Sequence, residues 1–336
     1  MSPIPASLNL TDGNDSARLS LVKLGDLDDR HGNQLQLIAA AGGAVAAYLN
    51  AAIADNTRRA YRQDLEDFRR WGGAIPCSAE TLAAFVADRA ATLSPYTISR
   101  RVVGISRAHT SQGLPDPSKN DLVRTVLRGV RRRNASPQRQ AAPLLKADLL
   151  TILPLMTGTS GLRDRALLLL GFGAALRRSE LVGVDVQDLE FVREGLVVHL
   201  RRSKTDQEGE GRKIAVPYAR ATAACPVKAV RAWLGAAEIT SGPVFRPVGK
   251  SGAIGAGRLT AQSVALIVKR YAEAAGLPAA TFSGHSLRSG LVTSAAQAGV
   301  AVHQIMAQTG HRSVAMVTRY IRDANLFEGN AAGMVL

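Results

Sequence analysis

From Val45 to Arg133 the apolar positions recur at helical spacing, and the segment predicts a succession of helices. Thr57 is placed to cap a segment in which Tyr61, Leu65 and Phe68 fall at i, i+4 and i+7. Ser78 with Thr81 opens a second helix, and Ser94-Pro95 and Asp116-Pro117-Ser118 punctuate two more. Before this run, residues 1–42 mix Asn, Asp, Gly and Ser with scattered Leu and read as a poorly ordered arm. After it, Arg131 to Pro143 has two prolines and no apolar period, which predicts an extended linker. The chain therefore divides into a helical domain over 43–133, a linker over 134–143 and a second domain over 144–336.

In the second domain, Lys146 to Met156 and Ser160 to Leu176 read as helices. Leu189 to Val192, Gly195 to Leu200 and Lys213 to Val216 read as strands of a small antiparallel sheet, with a turn over Asp206 to Gly211. Helical spacing returns at Val227 to Ala236, Thr260 to Ala275, Ser286 to Ala298 and Ser313 to Tyr320. The fold class is multidomain α and α+β.

Composition narrows the function. A hydrophobic share of 46% supports real cores, and the longest apolar run, Ala166 to Leu176, is too short to span a bilayer. Met1 to Ala17 has neither a basic n-region nor an apolar h-region, so no leader is expected. Cys77 and Cys225 stand far apart, without metal-ligand spacing, which fits a reducing cytoplasm and no disulfide framework. No His-Glu-x-x-His, complete P-loop or dinucleotide fingerprint occurs, so neither a metal nor a nucleotide cofactor is expected.

The net charge is +15, carried by 34 arginines and 8 lysines, and points to a polyanionic partner. Between Thr57 and Gln140 there are 16 basic and 7 acidic residues, so most of the excess is concentrated there. Arg58, Arg59, Arg100, Arg101, Arg107, Arg124, Arg128, Arg131, Arg132 and Arg133 are the candidates for DNA backbone contact, and those from Arg100 onward are expected to have few acids nearby.

Four separated motifs carry candidate chemistry. Arg177 and Glu180 emerge one turn apart where an apolar segment ends, an arrangement that by itself is ordinarily a salt-bridged helix terminus. Lys204 sits in Arg-Ser-Lys-Thr at a hairpin, where lysines commonly guard an edge. Ser283-Gly-His-Ser-Leu-Arg288 sets His285 and Arg288 on the first turn of a helix, where backbone N–H groups favour an anion. Gly310-His311 precedes a short helix ending at Tyr320, a residue type that there is usually core.

Taken in order, Arg177, Lys204, His285-x-x-Arg288, Gly310-His311 and Tyr320 resemble the catalytic constellation of the tyrosine recombinase, or phage integrase, family. The Arg-Ser-Lys-Thr, Ser-Gly-His-Ser-x-Arg and Tyr-Ile-Arg motifs are similar to its Cre-like branch, although Cre has tryptophan where this chain has His311. The resemblance implies a helical core-binding domain and a mainly helical catalytic domain closing around double-stranded DNA. It implies Tyr320 as nucleophile, His285 as base or relay, and Lys204 as the acid for the leaving 5′-oxygen. Arg177, Arg288 and His311 would stabilise the charge that builds on the phosphate, with Glu180 orienting neighbours. A covalent 3′-phosphotyrosine then conserves bond energy without metal, cofactor or ATP.

The same resemblance implies a homotetramer on DNA from a chain monomeric in solution, with the apolar tail Leu326 to Leu336 docking on a neighbour. A bacterial, phage or plasmid setting in the cytoplasm, at the nucleoid and away from membranes, is expected. A type IB topoisomerase shares the covalent chemistry, and a catalytically silent DNA-binding protein would explain the charge and the helices. The silent protein would not explain the six candidate residues together.

Overall fold

The computed structural model describes residues 54–134, 140–201 and 211–324. Packing divides the chain into two units, Met1–Gln138 and Arg139–Leu336. The described residues form mostly helices with one three-stranded antiparallel sheet. None of these helices is long and apolar enough to cross a membrane. The arm over 1–42 and the tail from Leu326 lie outside the described residues, as do the turn over 206–210 and the middle of the linker.

The first unit contains α1 (Asp55–Trp71), α2 (Ala79–Arg89), α3 (Pro95–Ser111) and α4 (Asp121–Arg133), with a short 3-10 turn at Pro117–Lys119. The Ser78 and Ser94 hydroxyls accept the amides of Thr81 and Thr97, so two starts lie where their capping residues predict. Thr57 does not cap α1; the helix begins at Asp55 after Ala54, which places Thr57 inside the first turn. Asp116 caps only the 3-10 turn, and Asn120 caps α4. Arg131, Arg132 and Arg133 form the last turn of α4 rather than extended linker, because the buried Val123 and Val130 fasten the helix to the core. Phe68 and Phe85 meet edge-to-face with centroids 5.0 Å apart among Leu82, Val86, Ile98 and Ile105. A Cβ at Gly73 would stand 2.3 Å from the Phe68 ring, so only glycine fits there.

The second unit opens with α5 (Lys146–Ile152), which gives way to 3-10 at Leu153–Leu155 because Pro154 cannot donate the next helical bond. The expected helix to Met156 is correspondingly shorter. Then come α6 (Gly158–Gly173), α7 (Arg178–Gly183), β1 (Leu189–Phe191), β2 (Gly195–Leu200) and β3 (Arg212–Pro217). In the order β1-β2-β3, Leu189 opposes Val198 and Leu200 opposes Arg212. Ile214 and Val216 alternate inward on β3 and join Leu196 and Val198 in the main core. Helices α8 (Pro226–Ala236), α9 (Ala261–Ala274), α10 (Ser286–Gln297), α11 (Val302–Thr309) and α12 (Val314–Ala324) complete the unit.

Helix α11 has no counterpart among the sequence expectations. Helix α6 ends three residues before the expected Leu176, in a Schellman turn: Leu176 N–H reaches Gly171 O, Ala175 N–H reaches Phe172 O, and Ala175 takes φ +50°. That turn brings the chain out of the apolar interior at Arg177.

Residues 142–146 run along α10. Leu144 N–H donates to Ser286 O at 2.9 Å and Lys146 N–H to Ser294 Oγ at 3.1 Å. A Cβ at Gly290 would stand 1.9 Å from Leu144 O, so glycine permits this approach. The buried Asp164, paired with its neighbour Arg163, ties α6 to α9 through Arg270 and the Tyr271 hydroxyl. A Cβ at Gly171 of α6 would stand 2.8 Å from both Leu181 of α7 and Leu287 of α10, and this close packing holds the three helices from whose ends the candidate side chains leave.

Candidate active site

Arg177 occupies the cap position before α7. Glu180 Oε2 accepts its backbone N–H at 2.8 Å, and Oε1 accepts its guanidinium Nη1 at 2.6 Å. With Glu180 buried, this double contact fixes the Arg177 side chain. Arg-x-x-Glu is thus a salt-bridged terminus, and it also aims a cation at the space beside α10.

Arg288, in the first turn of α10, is 1% exposed. Its Nη1 donates to the carbonyl of Ala175 at 2.7 Å, using the oxygen that the left-handed turn presents. Its Nη2 is buried with no hydrogen-bond partner among the described residues. A buried guanidinium N–H without an acceptor is costly, and an anion seated there would satisfy it. Burial, followed by the Arg177 charge, pushes the Arg288 pKa down to about 10, which still leaves it charged at neutral pH.

His285 lies immediately before α10, in a turn held by Ser283 N–H to Ser286 Oγ at 2.9 Å and His285 N–H to Ser283 Oγ at 3.1 Å. Its Nε2 is 3.0 Å from the Tyr320 hydroxyl on α12. His285 keeps an exposed edge, yet crowding by the surrounding protein, then the charges of Arg288 and Arg177, lowers its pKa below the ordinary histidine value.

His311 follows Gly310, the left-handed cap of α11 at φ +68°. Its imidazole is buried, with ring centroid 6.4 Å from that of Tyr320, and Nδ1 is 2.7 Å from Thr309 Oγ1. Burial lowers its pKa to about 4, helped by Arg288, Arg177, His285 and Arg212.

The structure thus brings Arg177, Glu180, His285, Arg288, His311 and Tyr320 together. Lys204 lies outside the described residues. Arg212, which the sequence reading does not name, also belongs to this neighbourhood. It leads β3, donates Nη1 to Gln308 O at 3.0 Å, and lies against Gly310, where a Cβ would stand 2.6 Å from that nitrogen. Gln308 in turn donates to Gly173 O and Ala215 O, so the turn before His311 is anchored on α6 and β3. Burial lowers the Arg212 pKa, with Glu180 opposing and Arg177 adding to the shift. Strand alternation could have found it: Arg212 begins the Arg-Lys-Ile-Ala-Val strand on the face of Ile214 and Val216.

Among the candidate DNA-contacting arginines, Arg59, Arg107, Arg124, Arg128, Arg131, Arg132 and Arg133 are exposed and Arg58 is half-buried. Arg100 and Arg101 do have acids close by. α1 presents Asp64, whose Oδ1 is 2.9 Å from Arg100 Nη2, and Asp67, which pairs with Arg101. The expectation of few neighbouring acids fails for this pair, because the carboxylates come from another helix.

Several guanidinium groups surrounding a histidine–tyrosine pair, on a helical unit with a small antiparallel sheet, define a site suited to a phosphate-bearing substrate. The model of the phage integrase family matches residues 144–326, more than half of the chain. An integrase/recombinase XerD homolog from Selenomonas ruminantium is 42% identical over 293 residues, covering 84% of this chain and 86% of that protein. Recombinase Cre of Escherichia phage P1 is 26% identical over 276 residues, covering 76% and 78%. Among solved structures, a XerH site-specific recombinase in a post-cleavage complex with palindromic difH substrate superposes with TM-score 0.58 at 17% identity, covering 82% of this chain and 78% of that one. A lambda integrase dimer bound to a COC′ core site gives TM-score 0.56 at 19% identity, covering 81% and 73%. The chain belongs to the phage integrase family of tyrosine recombinases.

Proposed function

We propose that this chain is a site-specific DNA recombinase that cuts and rejoins duplex DNA through a covalent 3′-phosphotyrosine at Tyr320. The observation that carries the reading is the unsatisfied Arg288 Nη2, buried beside Arg177 in a site that also holds the His285–Tyr320 contact. A phosphodiester there would accept from Arg288 and Arg177, and both charges would offset the charge that builds as phosphorus becomes five-coordinate. Tyr320 Oη attacks phosphorus, its proton passes to His285 Nε2, and the deoxyribose 5′-oxygen leaves with a proton that we assign to Lys204. Reversal by a 5′-hydroxyl from a partner duplex rejoins the strand. The bond energy is kept in the phosphotyrosine, so neither ATP nor a metal is required by this scheme.

The first unit is the core-binding domain in this reading. Exposed Arg107, Arg124, Arg128 and Arg131 to Arg133 contact phosphates there, whereas Arg100 and Arg101 serve first to hold α3 against α1. A chain monomeric in solution assembles as a tetramer on DNA, in the cytoplasm. The Ser-Gly-His-Ser-x-Arg and Tyr-Ile-Arg motifs support a Cre-like placement, while the 42% identity to the XerD homolog favours the Xer side.

The test is a nicked suicide substrate built from the DNA flanking the gene. Wild-type protein should form a covalent adduct, and Tyr320→Phe should bind the same DNA without forming one. An adduct of wild-type yield from the variant would remove Tyr320 from the chemistry.

A further inference from the structure

Thr309 is fully buried at the end of α11. Its Oγ1 lies 2.7 Å from the carbonyl of Ile305 and 2.7 Å from His311 Nδ1. A hydroxyl has one proton to give and two lone pairs to offer. The carbonyl can only accept, and two oxygens 2.7 Å apart with no proton between them would repel, so the Thr309 proton lies toward Ile305. What remains for the imidazole is a lone pair, and His311 Nδ1 must therefore carry a hydrogen. In a neutral ring that leaves Nε2 bare.

We propose that Thr309 is a positioning residue that fixes the protonated nitrogen of His311, so that His311 can donate to a bound phosphate only as an imidazolium. This rests on the functional reading above, in which a phosphodiester occupies the site. The groups facing His311 are Arg288 and His285 at the start of α10, Arg177 before α7, Arg212 on β3 and Tyr320 on α12. The cations among them, together with burial, keep the ring neutral while the site holds no anion. A phosphodiester introduces negative charge among them and favours uptake of a proton from water onto Nε2. Thr309 accepts from Nδ1–H in both the neutral and the charged ring, so the imidazole gains a donor without turning.

Full-length protein labelled with 15N-histidine tests this in two-bond nitrogen–proton spectra, with His311→Asn used to assign the signal. His311 in the wild type and in Thr309→Ser should show a protonated Nδ1 and a bare Nε2 at neutral pH, and Thr309→Val should lose that preference. In single-turnover cleavage, Thr309→Ser should stay within about twofold of wild type. Thr309→Val should fall about tenfold, the size of one orienting hydrogen bond, with a changed alkaline limb in its pH profile. A wild-type His311 carrying its proton on Nε2 would overturn the proposal, as would a Thr309→Val protein with unchanged spectrum and rate. If His311 shows the expected tautomer but no adduct forms at Tyr320, the functional reading fails and the Thr309 contact stands.

Discussion

His285 Nε2 and the Tyr320 hydroxyl meet at 3.0 Å across 35 residues of sequence, one from the turn before α10 and the other from α12. A phenol with an ordinary pKa of about 10 is protonated at neutral pH, so a nucleophilic role requires an acceptor at this distance. Lowering the His285 pKa favours the neutral imidazole, the form able to take the proton.

A pH dependence follows. Neutral His285 is the active form above its pKa, so this group should impose an acid limb on cleavage only below the ordinary histidine value. Measured with subsaturating DNA, the acid limb reports the free protein. His285→Asn should lower cleavage about 100-fold and remove that limb. An unchanged limb in the variant would assign the proton to another acceptor.

Stability should also depend on pH, through His311. Its folded pKa is about 4, below the unfolded value near 6.5. Between those values the unfolded chain binds more protons, so stability rises with pH in that window. The contribution is fully present above about pH 6.5 and is lost as pH falls toward 4, by on the order of 3 kcal/mol for this buried ring. Thermal unfolding of wild type and His311→Gln over pH 4 to 7 checks this, with a flatter curve expected for the variant. Parallel curves would show that other groups dominate.

The helices and caps legible in the sequence are those fixed by neighbours in the chain. Ser78 with Thr81 and Ser94 before Pro95 specify their starts locally, and the alternation of Ile214 and Val216 specifies a strand. Helix α11 was legible in principle, since Val302, Ile305 and Met306 keep helical spacing between Gly299 and Gly310, but its eight residues give a weak signal. The candidate side chains were visible as separated motifs. What tertiary contact adds is the carbonyl of Ala175 for Arg288, the guanidinium of Arg212 beside Gly310, and the carboxylates of α1 for Arg100 and Arg101. Each joins elements distant in sequence through an approach that no local pattern encodes.

The arginines of the first unit should separate by experiment into two groups. Asp64 is 1% exposed, burial raises its pKa, and Arg100 and Arg101 oppose that shift. Its oxygens make no hydrogen bond among the described residues, where the two guanidinium charges are its compensation. Arg101→Ala removes one of them, and it also strips Asp67 of a partner, leaving that residue to Arg89 and Arg70. Breaking a buried charge contact of this kind costs about 3 kcal/mol, so the variant should unfold at clearly lower temperature. Arg124 and Arg128 are exposed on α4, and Arg128 donates a hydrogen bond to Thr125 one turn back, at 3.2 Å. Replacing either by Ala should change stability by less than about 0.5 kcal/mol. Each replacement should instead weaken DNA binding across sequences and reduce the slope of log affinity against log salt by about 1. Thermal melts and salt-dependent binding on the same four proteins, wild type included, decide the matter. An Arg101→Ala protein of wild-type stability with a reduced salt slope would make Arg101 a phosphate contact rather than a strut between helices.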